Sequence, residues 1–215
     1  VARTRSQEIA DTLRLSIQRG TYMCGDRLVE LTLSQEFEVS QNSIRDALHI
    51  LEGEGWVQKI PRRGVYVPKF SIPEAEEIYA LWEAVGNLAM GWAMHKIGDT
   101  ERDRLRETLI LAERKVNTQE WFHATAEIRN LHTAIALHAE APQTQVILSR
   151  LHNQAQLLDN QRLHALPLTL DEWDTRIEYL FDVLHEINQH ETSKAILYYG
   201  RAIQHEAGLV IPYLD

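Results

Sequence analysis

Gln41, Asn42, Arg45 and His49 project from one side of a segment whose other side carries Ile44, Ala47, Leu48 and Leu51. The apolar set follows the i, i+3, i+4, i+7 spacing of a core-facing helix stripe. Glutamine and asparagine amides can each pair bidentately with an adenine edge, and an arginine with guanine. Ser40 stands at the N-cap position, and Ser43 can donate to a phosphate. The N-terminus of such a helix attracts phosphate through its unpaired N–H groups. Downstream, Arg62-Arg63-Gly64 puts two cations beside a glycine that lets backbone approach backbone. That suits contact with a phosphate or the minor groove. Any one of these features alone is more often a solvated face or turn. In this order and spacing they point to double-stranded DNA.

The elements that must position these residues are short and frequently broken. Ser6–Arg19 reads as a helix with Ile9, Leu13 and Ile17 on one stripe, ended by Gly20. Leu28–Leu31 reads as short and extended, with Thr32 as N-cap of a brief helix over Leu33–Phe37. Val39-Ser40 forms a turn into a helix from Gln41 to about Glu54, punctuated by Gly53 and Gly55. Trp56–Ile60 and Gly64–Val67 flank Pro61-Arg62-Arg63 as a hairpin. Helix, tight turn, helix and hairpin make the layout of a winged helix-turn-helix. Pro68–Pro73 reads as a linker. Beyond it the pattern is helical throughout, at about 73–95, 100–117, 119–139, 142–165, 170–188 and 191–208, with Thr169 and Glu172 as a capping box. The expected fold is mostly α: a winged helix-turn-helix over 1–70 and an all-α antiparallel bundle over 71–215.

Charge limits where nucleic acid can bind. Residues 1–70 carry ten Lys+Arg against nine Asp+Glu, and residues 71–215 carry twelve against twenty-two, within a net charge of −9. The acidic body is a poor nucleic-acid binder, so contact must be local and in the first third. The longest nearly apolar stretch, Leu88–Met94, is far short of the ~18 residues of a membrane span. Val1–Ser6 has no apolar run behind its basic residues and does not read as a secretory signal. Cys24 is the only cysteine, which excludes an intrachain disulfide and fits a cytoplasmic location. No Ser/His/Asp triad spacing, phosphate-cradling glycine loop or His-Glu-x-x-His run marks an enzyme.

The run Val39-Ser40-Gln41-Asn42-Ser43-Ile44-Arg45-Asp46-Ala47-Leu48, then Leu51–Val57 and Arg63–Val67, resembles the GntR family of bacterial transcription regulators. The helical remainder is similar to the ligand-sensing (FCD) domain of its FadR-like branch. The resemblance implies a homodimer that binds a palindromic operator, as a repressor under the control of a small-molecule effector. Arg45 matches the family's second DNA-contacting arginine and Gly64 its wing glycine. Gln41 stands where the family usually has arginine, so the operator should differ from the commoner family sequence.

Many domains of that branch hold a divalent metal through Asp-x3-His on one helix and a histidine on each of the last two. Here His132 matches one ligand, but the other three positions map to Ile128, Leu180 and Ala202. No metal and no cofactor is therefore expected. His185 and His205 could substitute beside His132, but each lies further toward the C-terminal end of its own helix. In an antiparallel hairpin that separates them by roughly 12 Å. Trp82 stands where the branch usually places an arginine, and Gly86 where it places a glutamate. A pocket lined by Trp82, Ile128, His132, Leu180 and Ala202 should thus be more apolar and less anion-selective than usual. Alternatively, Trp82 only fills space and His132 is a hydrogen-bonded core histidine, leaving an effector-independent regulator or interaction module. An enzyme using the bundle is a third reading.

Overall fold

A computed structural model describes residues 3–214. Val1 and Ala2, the start of the basic N-terminal run, lie outside the described residues. The chain divides between Lys69 and Phe70 into two compact units.

In the first unit, α1 (Arg5–Gln18) opens on a capping box. The Gln7 N–H donates to Thr4 Oγ1 and the Thr4 N–H to Gln7 Oε1. Its Ile9, Leu13 and Ile17 are buried. A two-residue strand β1 (Arg27–Leu28) leads directly into α2 (Glu30–Glu36). This corrects the expected extended Leu28–Leu31 and the Thr32 cap: the helix begins three residues earlier, with Val29 in the cap position. Val29 makes no side-chain cap bond. Glu30 in the first turn supplies negative charge at the positive end of the helix dipole instead.

The turn into α3 (Gln41–Glu54) passes through Glu38 in the left-handed region (φ 52°), with the Val39 N–H bonded to the Ser34 carbonyl. Ser40 caps α3 by accepting from the Ser43 N–H, and Gly55 at φ 86° ends it. Ile44, Ala47, Leu48 and Leu51 are the buried stripe. Strands β2 (Gln58–Ile60) and β3 (Gly64–Tyr66) form the hairpin. β1 adds to its other side, giving the antiparallel order β1-β3-β2.

The second unit comprises α4 (Ile72–Ala93), α5 (Asp99–Asn117), α6 (Trp121–His138), α7 (Pro142–Ala165), α8 (Leu170–Asn188) and α9 (Thr192–Val210). A 3-10 turn over Ile211–Tyr213 follows. Ser71 with Glu74 and Thr169 with Glu172 form capping boxes at the starts of α4 and α8. Helix α4 packs against α9, α7 and α6; α5 against α6 and α8; and α8 against α9. Among the described residues, no strand follows Tyr66 and no helix is long and apolar enough to cross a membrane.

Candidate nucleic-acid interface and the buried polar core

Burying one face of α3 turns the other outward. Ser40, Gln41, Asn42, Arg45 and His49 are exposed and Ser43 is half-buried. The Ser40 and Ser43 hydroxyls lie 3.0 Å apart, so the cap also holds the hydroxyl nearest the helix start. Arg45 is not loose. Its Nε donates to Glu30 Oε2 at 2.7 Å, and its Nη1 makes a long contact of 3.4 Å with Asn42 Oδ1. Glu30 was not foreseen as a site residue. It comes from the first turn of α2, and only the packing of α2 on α3 makes it visible. With Nε engaged, the Nη end of the fork remains for an acceptor, the arrangement that can meet guanine O6 and N7.

The hairpin turn holds Arg62, in the left-handed region at φ 63°, and Arg63, both exposed. The Arg63 N–H closes the turn on the Ile60 carbonyl, and the Tyr66 hydroxyl donates to the Arg63 carbonyl. Gly64 takes φ 114°, a conformation side chains rarely adopt. Among the described residues, no carboxylate lies within ion-pair distance of Arg62 or Arg63. Two like charges held at a turn without counter-ions suit a polyanion.

In the helical unit Trp82, Ile128, His132, Leu180 and Ala202 are all buried. Their surroundings are not the apolar interior that the sequence suggested. Arg129 Nη2 (α6) donates at 2.8 Å to both Asp159 Oδ2 (α7) and Glu206 Oε2 (α9). Arg176 (α8) donates through Nη1 and Nη2 to Asp159 at 3.1 and 2.9 Å, and through Nη2 to Glu206 at 3.0 Å. His132 contacts Glu206 Oε1 through Nε2 at 3.0 Å and the Tyr199 hydroxyl through Nδ1 at 3.1 Å. The Arg129 guanidinium lies 4.5 Å from the centre of the Trp82 ring, with His132 and His152 edge-on to that ring. His132 is thus a hydrogen-bonded core histidine. The physical reason for the difference is that two guanidiniums balance two carboxylates, so four charges can share one interior without net charge.

Burial sets the ionisation of this cluster. It would raise the Glu206 carboxyl, but Arg129, Arg176 and His132 outweigh it and hold the group well below the usual carboxylate range. Burial pushes His132 below its ordinary value against the pull of Glu206. It pushes His152 well below, helped by His132 and Arg129. In the first unit burial also drives the Cys24 thiol up to about 12, so Cys24 is a poor nucleophile.

The residues present do not fit a metal of the kind the family branch holds. Both His132 nitrogens already have partners, and Ile128, Leu180 and Ala202 offer no donor. The alternative set does not converge. His185 is exposed beside Arg102 and Arg106, while the half-buried His205 stacks on Tyr179 with ring centres 4.6 Å apart. Among the described residues no group of three or more His, Cys, Asp or Glu could hold an ion. Purified protein is expected to contain no stoichiometric divalent metal, and EDTA to leave its DNA affinity unchanged. Elemental analysis finding about one zinc, nickel or manganese per chain, lost on His132→Ala, would contradict this.

Residues 5–67 match the sequence profile of the bacterial regulatory proteins of the gntR family. The similarity to that family lies within the N-terminal unit. The match covers α1, the α2–α3 pair and the hairpin. The chain is 27% identical over 105 residues to the HTH-type transcriptional regulator YdhC of Bacillus subtilis (strain 168), covering 49% of this chain and 47% of that protein. It is 27% identical over 151 residues to the HTH-type transcriptional regulator BphR of Paraburkholderia xenovorans (strain LB400), covering 66% and 60%. The chain thus spans about half to three-fifths of the length of these curated relatives. Both relatives are described as uncharacterised HTH-type transcriptional regulators. The fold is shared over 100% of both chains with E. coli McbR/YncC at TM-score 0.84 and 15% identity. A GntR regulator from Rhodococcus sp. RHA1 matches at TM-score 0.82 and 20% identity, over 98% of this chain and 99% of that one. The fold of the whole chain, its helical unit included, is therefore shared with these solved structures.

Proposed function

We propose that this chain is a DNA-binding transcription regulator that recognises an inverted-repeat operator as a homodimer. Base edges are read by Gln41, Asn42 and Arg45 from α3. Ser40 and Ser43 at its start, and Arg62, Arg63 and Gly64 of the wing, meet the phosphates and the minor groove. The observation that carries this reading is the exposed Gln41-Asn42-Arg45 face on a unit matched over residues 5–67 to a DNA-regulator family. The 71–215 unit serves assembly and effector sensing, as in the FadR-like branch, around Trp82, Ile128, His132, Leu180 and Ala202. Its charges already neutralise one another, so the favoured effector needs no metal bridge. Repression by occluding a promoter is the expected mode. The test is selection from random duplexes by the full chain at low salt. Enrichment of an inverted repeat supports the reading, and no enrichment refutes it.

The second unit supplies a candidate two-fold face. The α4 stripe Ile78, Leu81, Val85, Leu88 and Trp92 splits by burial. Ile78 is in the core, Val85 half-buried, and Leu81, Leu88 and Trp92 are exposed. Three large apolar side chains on one helix face favour an assembly contact. Sedimentation at micromolar concentration is expected to give a dimer for the wild type and a monomer for Leu88→Glu/Trp92→Glu. A monomeric wild type would remove the inverted-repeat argument.

A further inference from the structure

The wing glycine has a neighbour that the hairpin sequence does not reveal. A Cβ built on Gly64 would stand 3.1 Å from Arg27 Nε and 3.3 Å from its Nη2. The Arg27 guanidinium therefore rests against the Gly64 backbone, in space that a side chain would fill. The sheet register explains how it gets there. Arg27 on β1 pairs with Tyr66 on β3. Residues 64 and 66 share one face of the strand, so Arg27 runs diagonally along that face toward the hairpin turn. It leaves the buried face to Leu28 and Val65. Arg27 is itself exposed.

Among the described residues its charge has no acidic counterpart within ion-pair distance. Arg3, Arg5, Arg14 and Arg45 of the same unit each sit within 4.0 Å of a carboxylate. Among the described residues, Arg19, Arg27, Arg62 and Arg63 do not, and of these the last three come together at Gly64 and the hairpin turn. Three arginines from two separate stretches of chain thus gather at one end of the sheet with no acidic partner, against the mutual repulsion of like charges. A stability role does not account for that. An exposed guanidinium lying on a glycine contributes little apolar burial, and a neutral residue there would remove the repulsion.

We infer that Arg27 is a third phosphate contact of the wing, seated by Gly64. This rests on the DNA-binding reading above and extends it to a residue outside the helix-turn-helix and the hairpin. Gly64 then has a role within the protein: it leaves the space in which the Arg27 plane is held. A phosphate contact carries no base identity. Arg27 therefore contributes equally to every duplex and releases about one counterion on binding.

The experiment uses the full chain and two duplexes, one selected by the wild type and one scrambled, titrated from low to moderate salt. Arg27→Ala is expected to weaken both duplexes by the same factor, on the order of several-fold. It should reduce the slope of log affinity against log salt by about one. Arg27→Lys should restore most of the slope. Arg104→Ala, the same charge change on α5, should leave it unaltered. Thermal unfolding of Arg27→Ala should match the wild type, which separates a DNA contact from a structural one. An unchanged slope in Arg27→Ala would overturn the inference, as would a loss confined to the selected duplex, which would make Arg27 a base reader. A wild type that selects no duplex and binds none at low salt would instead overturn the DNA-binding reading beneath it, so the two failures are distinguishable.

Discussion

Glu206→Ala should destabilise the helical unit by roughly 3–5 kcal/mol, the usual cost of removing one partner from a buried ion network. Glu206 accepts from both Arg129 and Arg176 and contacts His132. All of these groups are almost completely buried. Without that carboxylate, Asp159 alone faces two guanidiniums, and one positive charge is left in a dry interior. Glu206→Gln keeps the shape but not the charge and should lose nearly as much. A denaturant titration followed by circular dichroism reads the loss as a shifted midpoint at constant slope. A shift equivalent to less than about 1 kcal/mol would mean that water reaches the cluster and screens it.

The same cluster gives the helical unit a pH dependence of definite sign. His132 and His152 have depressed values in the folded chain, against an ordinary 6.5, and Glu206 is held below its ordinary 4.5. For each group the unfolded chain binds more protons between the folded and ordinary values, so stability falls as pH is lowered through that window. The histidine contribution is fully present above about pH 6.5 and is lost progressively below it. The Glu206 contribution is fully present above about pH 4.5 and is lost below that. Melting temperature should be flat from pH 8 to 7 and fall toward pH 5. His152→Gln should reduce the drop between pH 6.5 and 5. A unit that becomes more stable on acidification from pH 7 to 5 would contradict the assignment.

The second large effect concerns sequence reading. Arg45→Ala should cost about 1–3 kcal/mol of discrimination at one base pair of each half-site. It should cost far less on non-specific duplex. The residue is held for that task, since Glu30 engages its Nε and leaves the Nη end outward. Gln41 marks where this chain departs from its family resemblance. An amide pairs with adenine where a guanidinium pairs with guanine, so Gln41→Arg should move the preference at that position from adenine to guanine. Loss of affinity without a change of preferred base would show that Gln41 does not face a base edge.

Much of this architecture was legible because it depends on local spacing. Ser40 followed by the Ile44–Leu51 stripe fixes both the start of α3 and the face that it exposes. Thr169 with Glu172 fixes the start of α8 in the same way. The start of α2 was misplaced because Thr32 has the better capping side chain, yet the helix runs on from β1 through Val29.

The polar core was missed for a different reason. Arg129, Asp159, Arg176 and Glu206 come from four helices, and each in isolation reads as a solvated charge. A signal was nevertheless present. Arg176 sits on the buried stripe Trp173, Ile177 and Leu180, and Glu206 continues Tyr199, Ala202 and Ile203. A charge on an apolar stripe is expensive unless a partner waits opposite, and two such stripes of opposite sign predict each other. Glu30 and Arg27 offered no such signal. Their partners, Arg45 and Gly64, are brought to them only by helix packing and sheet register.

The most direct test of the account is base selection by the intact chain, carried out in parallel with the wild type and Gln41→Arg. The account predicts an inverted repeat for both proteins, with one symmetric position changing from adenine to guanine in the variant. Enrichment of no duplex by either protein, or of one identical repeat by both, would contradict it.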